Sequence, residues 1–382
     1  MTADTGQGVR PRLPLRAELR GGVPYGAPQI DVPVRLNTNE NTHGVPPEVA
    51  AAVVEAVAAL ARDLNRYPDR EFTALREDLA DYLGHGLGPA HVWAGNGSNE
   101  VMQHVLQAFG GPGRTAMSFS PTYAMYPLYC RSTGTSWIDG LRAAAADGAP
   151  PGGGAFSLTP RAAVAQVRRA RPDVVFLASP NNPTGTALGL DVVEAVYDAT
   201  DGVVVVDEAY AEFAREGTPS ALTLLPGRAR LAVARTMSKA FAFAGVRLGY
   251  LAADPAFCDA LRLVRLPYHL SVLTQAAARA ALAHEPVLLS TVQSIKDQRD
   301  RLVAGLSALG AEPVPSDANF VLFGGLTDEK GAWQGLLDRG VLVRDVGLPG
   351  HLRVTAGTQA ETTAFLAAAA EVLPALLAGG AR

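Results

Sequence analysis

Three short, nearly continuous apolar runs, at residues 174–178, 203–206 and 231–234, constrain the fold of this chain more than any other feature. Each has the length of a strand, and stretches of helical periodicity separate them. That is how buried parallel strands joined by crossover helices read, so the fold class expected is α/β. Each run also ends in polar residues: Ser179-Pro180-Asn181-Asn182-Pro183-Thr184-Gly185, then Asp207-Glu208-Ala209-Tyr210, then Arg235-Thr236-Met237-Ser238-Lys239. Ligands of an open parallel sheet bind beyond the carboxyl ends of its strands, so these three clusters are expected to converge on one crevice.

The rest of the chain supplies the frame. With 382 residues it exceeds one small core and fits about two domains. Charged residues are 18% and hydrophobic residues 48%, the balance of a globular protein. The formal net charge is -4, from 33 basic and 37 acidic residues with no long run of one sign, so nucleic acid is not an expected partner. No signal-peptide core is evident near the amino terminus. The most apolar stretches, 50–61 and 364–378, are too short to cross a bilayer, so no membrane association is expected. Cys130 and Cys258 lie far apart and form neither a disulfide framework nor a metal site. A reduced, cytoplasmic enzyme without a metal is the expectation.

Residues 1–34, rich in Gly, Pro and Arg, read as an arm. The polar cluster Asn37-Thr38-Asn39-Glu40-Asn41 reads as a loop before a helix at 47–61, and Pro68 pushes Tyr67 towards an extended, displayed conformation. A helix at 71–83 and a strand at 91–94 lead to Gly95-Asn96-Gly97-Ser98-Asn99-Glu100, before a helix at 101–109. This is either an anion site of backbone N–H groups at a helix N-terminus or an ordinary glycine turn with a Ser cap. Tyr123 lies on a turn, where it either stacks on a flat ring or fills the core. Residues 143–154 read as a surface loop. Helices at 272–284 and 287–309, broken at Pro286, strands at 341–344 and 352–355, and an Ala-rich closing helix make a smaller α+β unit.

Lys239 is the chemically decisive residue of the third cluster. A lysine becomes a useful amine nucleophile when burial or neighbouring positive charge lowers its pKa, and its product with a carbonyl is a Schiff base. Pyridoxal phosphate offers both an aldehyde and a phosphate, and Thr236, Ser238 and Arg247 are of the types that hold a phosphate. On this stretch alone a solvated Ser-Lys turn is an equal reading. Its place among three clusters at successive strand ends favours the catalytic one.

The order and spacing of Asn182-Pro183-Thr184-Gly185, Asp207-Glu208-Ala209-Tyr210, Ser238-Lys239 and Gly245-Val246-Arg247 resemble the fold-type I pyridoxal phosphate-dependent aminotransferases, and within them the histidinol-phosphate aminotransferases. The resemblance runs from Asn37 to Arg353. It implies a large cofactor-binding domain at 35–274, with a mainly parallel sheet flanked by helices, and a small α+β domain at 275–382. By the same resemblance Lys239 is the Schiff-base lysine and proton carrier, Asp207 pairs with the pyridine nitrogen, and Asn182 and Tyr210 bond the ring hydroxyl. Tyr123 stacks on the ring. Ser98 and Asn99, with Thr236, Ser238 and Arg247, hold the phosphate; many members have Asp at the place of Asn99.

Tyr67 resembles a tyrosine that reaches the cofactor phosphate of the neighbouring subunit, which implies a homodimer with composite sites. Arg353 resembles the arginine that grips the substrate carboxylate. Arg344 either faces the substrate phosphate or is a surface arginine, and Tyr25 and Asn41 are placed near the substrate. The implied reaction is L-histidinol phosphate plus 2-oxoglutarate giving imidazole-acetol phosphate and L-glutamate, in histidine biosynthesis. The rivals are an aromatic amino-acid aminotransferase on the same scaffold, a decarboxylase, and a non-catalytic ligand-sensing domain.

Overall fold

A computed structural model describes residues 13–142 and 156–378, so the expected surface loop at 143–154 and the first twelve residues of the arm lie outside the described residues. The rest of the arm runs in extended and 3-10 conformation over the body, where Arg16 Nη2 donates to the Ser132 carbonyl at 3.1 Å and Asn37 Nδ2 to the Pro28 carbonyl at 2.9 Å.

In chain order the elements are β1 (Val34–Arg35), α1 (Pro47–Leu60), α2 (Thr73–Leu83), β2 (Val92–Asn96), α3 (Ser98–Phe109), β3 (Thr115–Ser120), α4 (Tyr126–Thr133), β4 (Ser136–Leu141), α5 (Pro160–Ala170), β5 (Val174–Ala178), α6 (Leu190–Ala199), β6 (Val203–Asp207), β7 (Leu231–Thr236) and β8 (Leu248–Ala253). There follow α7 (Pro255–Arg262), α8 (Val272–Leu282), α9 (Glu285–Ala308), β9 (Glu312–Pro313), β10 (Phe320–Gly324), α10 (Glu329–Asp338), β11 (Val341–Leu342), β12 (Arg344–Asp345), β13 (Leu352–Thr355) and α11 (Gln359–Val372).

The central sheet has the order β2-β8-β7-β6-β5-β3-β4 and is parallel except for β8, which runs against both neighbours. Strands β5 and β6 are buried along their whole length, as near-unbroken apolar runs require of a sheet covered on both faces. Each fully buried Val contributes roughly 1.5–3 kcal/mol. The register sets Ala178 beside Asp207 and Asp207 beside Ala234, so the polar residues that follow these strands emerge along one edge.

Several elements differ from the sequence expectation. The β6–β7 crossover is not helical: it has two 3-10 turns, Ala211–Phe213 and Ala221–Leu224, because Gly217, Pro219 and the Pro226-Gly227 pair interrupt any longer helix. Helix α2 starts at Thr73, since Asp69 accepts the Glu71 and Thr73 N–H groups at 2.9 and 2.7 Å and Phe72 is left-handed (φ 40). Helix α3 starts at Ser98, so Ser98 and Asn99 form its first turn. The strand expected at 341–344 is two pieces: β11 pairs in parallel with β1, and β12 pairs with β13 in a second sheet of order β12-β13-β10-β9. That switch of partners turns Arg344 and Arg353 into cross-strand neighbours. Pro286 sits in the first turn of α9, where its missing N–H has no partner to lose. Among the described residues no helix is long and apolar enough to cross a membrane.

Candidate active site

Where the ends of β2, β5, β6 and β7 meet the second sheet there is a cavity of ≈ 360 Å³. Its lining includes Ser98, Tyr123, Asn182, Asp207, Tyr210 and Lys239 on the side of the large sheet, and Tyr25, Arg344 and Arg353 opposite. Two glycines make its floor possible. A Cβ on Gly249 would fall 2.0 Å from the Ser98 nitrogen, so only glycine in β8 lets the N-terminus of α3 lie against that strand. Gly97 has φ +78, and a Cβ there would meet Arg247 Nη2 at 2.5 Å; the guanidinium therefore lies directly over the turn that opens α3.

Donors face that turn, and the one carboxylate in it, Glu100, is taken up by the Asn96 N–H and Nδ2 at 2.6 and 2.8 Å. Arg247 itself is left-handed (φ 61), and its Nη1 donates to the Ala244 carbonyl at 3.0 Å and to Ser238 Oγ at 3.4 Å. Among the described residues it pairs with no carboxylate. Ser238 and Thr236 are held together at 3.0 Å, and the Thr236 oxygen also accepts the Ser238 N–H. A guanidinium without a carboxylate partner, two hydroxyls and a helix N-terminus are the kinds of group that suit a phosphate.

The other ionic groups are also left with unfilled capacity. Lys239 Nζ donates to the Thr38 carbonyl at 3.1 Å and lies 5.9 Å from the Tyr210 ring centroid. Burial, followed by the positive charges of Arg353 and Arg247, pushes its pKa down from 10.5 to about 8. Asp207 is buried without a cationic partner among the described residues, and burial pushes its pKa up from 3.8 to about 6. Tyr126 donates to its Oδ2 at 2.8 Å and the Ala209 N–H to its Oδ1 at 3.2 Å. The Tyr210 hydroxyl accepts from Asn39 Nδ2 at 3.1 Å and from Asn182 Nδ2 at 3.5 Å, which leaves its own proton to donate.

Arg353 is buried and stretched between the two sheets. Its Nη1 donates to Asn182 Oδ1 at 2.6 Å and its Nη2 to the Asn37 carbonyl at 2.9 Å, while Nε has no partner. Burial lowers its pKa to about 10, which still leaves it a cation at neutral pH. Arg344 stands nearer the mouth, 3.4 Å from the Tyr25 hydroxyl and over its ring at 5.8 Å.

Of the residues singled out in the sequence, all line this cavity except Tyr67 and Asn41. Tyr67 is 80% exposed and stacks on Tyr268, ring centroids 4.5 Å apart, outside the cavity of its own chain. Asn41 spends its amide on the Ala240 carbonyl and on Thr291 Oγ1, at 3.1 and 3.2 Å, so it braces the backbone next to Lys239. The sequence reading missed Tyr126, Tyr129, Asn37, Thr38 and Asn39. Tyr129 bonds Asn99 Oδ1 at 2.7 Å, which turns that side chain away from a free role at the helix terminus. The three residues from the 37–41 cluster carried a polar signal, but nothing in the sequence says that a Thr38 carbonyl meets a lysine 201 positions later.

These residues fit pyridoxal phosphate. A buried carboxylate without a counter-ion suits a cationic ring nitrogen, the donor cup at Ser98 and Arg247 suits a phosphate, and a lysine of lowered pKa suits an aldehyde.

Comparison with known proteins agrees. The family of class I and II aminotransferases matches residues 31–369. A histidinol-phosphate aminotransferase of Paenarthrobacter aurescens is 63% identical over 373 residues, spanning 97% of this chain and 96% of that protein. One from Thermobifida fusca is 58% identical over 353 residues, spanning 92% and 94%. The crystal structure of histidinol-phosphate aminotransferase from Sinorhizobium meliloti in complex with pyridoxal-5'-phosphate superposes with a TM-score of 0.77 at 26% identity, over 90% of this chain and 92% of that one.

Proposed function

Because this chain belongs to the class I and II aminotransferases, we propose that it transfers the amino group of L-histidinol phosphate to 2-oxoglutarate, forming imidazole-acetol phosphate and L-glutamate in histidine biosynthesis. The observation that carries this reading is the near full-length identity to histidinol-phosphate aminotransferases. The geometry supports it: one cavity joins a cofactor-type floor to two arginines, and arginines suit both a phosphate ester and a dicarboxylate.

Pyridoxal phosphate, when bound, supplies the aldehyde and the electron-withdrawing ring; the chain supplies placement and proton movement. Ser98, Thr236, Ser238 and Arg247 hold the phosphate, Asn182 and Tyr210 the ring hydroxyl, and Asp207 the ring nitrogen. Tyr123 covers the ring. Lys239 Nζ, neutral in a useful fraction near pH 8, accepts a proton from the substrate carbon and returns it. Arg353 holds the carboxylate of the oxo acid, or the phosphate that histidinol phosphate carries in its place, and so orients the reacting carbon; the two amino-group transfers alternate in one site.

Measured kcat/KM values for histidinol phosphate and phenylalanine, each with 2-oxoglutarate, test the substrate. At least a tenfold advantage for the phosphate ester is expected, because its dianion takes the place of the phenylalanine carboxylate at Arg353 and reaches Arg344 as well, and one added charge-assisted contact gives roughly 1.5–3 kcal/mol. A preference for phenylalanine would overturn the substrate and leave the transaminase.

A homodimer with composite sites belongs to the same proposal. Tyr67 stacks on Tyr268, and Leu64, Leu263 and Leu266, near them in the chain, are 52%, 86% and 76% exposed; exposed apolar side chains of this kind suit a partner surface. Sedimentation at micromolar concentration is expected to give twice the chain mass; a monomer retaining full activity would refute the composite site. The two cysteines are free and buried, as suits the cytoplasm proposed as its compartment.

A further inference from the structure

Asp207 receives one side-chain hydrogen bond among the described residues, from Tyr126 Oη at 2.8 Å. Tyr126 does not line the cavity. It is fully buried, opens α4, stacks on Phe176 at 4.8 Å with an interplanar angle of 8°, and stands edge-on to Tyr123 at 5.5 Å and 89°. Its hydroxyl position is therefore set by packing on two rings and not by the carboxylate it meets.

A carboxylate that must receive a cationic ring nitrogen faces a conflict. Burial favours its protonated form, and a protonated acid cannot pair with a cation. A neighbouring Arg or Lys would keep it ionised but would pair with it and compete with the ligand. A neutral hydroxyl that donates to the carboxylate favours the charged form and leaves the charge uncompensated. Burial and the nearby carboxylate raise the Tyr126 pKa well above 10, so this hydroxyl stays a donor at any physiological pH. The second donor, the Ala209 N–H on Oδ1, fixes the plane of the carboxylate.

We propose that Tyr126 is a positioning residue that holds the Asp207 carboxylate, in charge and in orientation, for the ring nitrogen of the cofactor. The proposal rests on the reading of Asp207 given above. The Tyr126 hydroxyl acts from outside the cavity, through Asp207.

A double-mutant cycle on cofactor affinity tests it, with the dissociation constant of pyridoxal phosphate measured by equilibrium dialysis. The chains are wild type, Tyr126→Phe, Asp207→Asn and the double variant. Thermal midpoints of the four cofactor-free chains show that each is folded, and the phenylalanine ring retains both aromatic contacts. Tyr126→Phe is expected to weaken binding ~10- to 100-fold in the wild-type background, the range of one hydrogen bond to a charged group. In the Asp207→Asn background the same change is expected to cost less than about threefold, because no charge remains for it to support. An equal loss in both backgrounds would make Tyr126 a packing residue only and overturn the proposal, as would wild-type affinity in Tyr126→Phe. If Asp207→Asn alone binds as wild type, the reading of Asp207 falls first, a result visible without any Tyr126 variant.

Discussion

Asp207 and Glu208 are consecutive carboxylates at the end of β6, and they meet opposite surroundings. Glu208 is fully partnered: Oε1 accepts the Ala221 N–H at 2.7 Å, and Oε2 accepts from Ser220 Oγ and from Arg235 Nη2, both at 2.8 Å. On its other side Arg235 reaches Glu212 at 3.6 Å, and Glu212 accepts from the Tyr82 hydroxyl at 3.2 Å. Among the described residues Asp207 has two neutral donors and no cation. The same contrast separates Arg235, between two carboxylates, from Arg353, which among the described residues has only an amide and a carbonyl as hydrogen-bond partners and keeps Nε unmatched. Buried charge that is satisfied by the chain fixes the ends of β6 and β7; buried charge that is not satisfied marks where a ligand supplies the missing partner.

The contrast is open to attack from both sides. The largest effect expected is on the cavity side: Lys239→Ala lowers turnover at least about a thousandfold, since both the amine and its proton transfer are lost, and leaves the chain folded. Substantial residual turnover in a stopped assay with amino donor and oxo acid would mean that another lysine serves. Next comes Arg235→Met, which leaves Glu208 and Glu212 buried without a counter-charge and is expected to cost about 3–5 kcal/mol in urea unfolding. An unchanged urea midpoint would show that the network does not hold the strand ends.

The smallest effect has the opposite sign. Asp207 has its pKa raised from 3.8 to about 6 in the folded chain, so the folded state binds the proton more tightly. Stability relative to the unfolded chain is therefore highest below pH 3.8 for this group and falls as pH rises to about 6. At pH 7 the cofactor-free Asp207→Asn chain is expected to be more stable than wild type by on the order of 2 kcal/mol, an advantage that disappears near pH 4. A loss of stability at pH 7 would place Asp207 with Glu208 among the structural charges and erase the distinction.

Much of this was legible in the sequence for a local reason. Short, β-branched-rich apolar runs bounded by polar residues read as buried central strands, so 174–178 and 203–206 announce both a parallel sheet and the edge at which Asn182 and Asp207 appear. The helical β6–β7 crossover expected from the sequence does not form: apolar residues at 221–225 imitate helical spacing, but the 3-10 turn at Ala221–Leu224 is capped by Ser220 and Glu208. Tyr126 had no signal at all: an aromatic three residues after Tyr123 looks like core, and it is core, with one hydroxyl that happens to reach a strand 81 positions away.

The sequence by itself determined the α/β class, the strand ends that carry chemistry, and the residue types suited to a lysine-bound phosphate cofactor, because hydrophobic period and turn residues act over a few neighbours. Tertiary structure alone decided the partners. It set Arg353 against Asn182, 171 positions earlier, put the Thr38 carbonyl under Lys239, and left Asp207 with a tyrosine in place of a cation. Those choices depend on ångström-scale positions fixed by crossover geometry and on burial, which strengthens an unmatched charge and exists only once the sheets have packed.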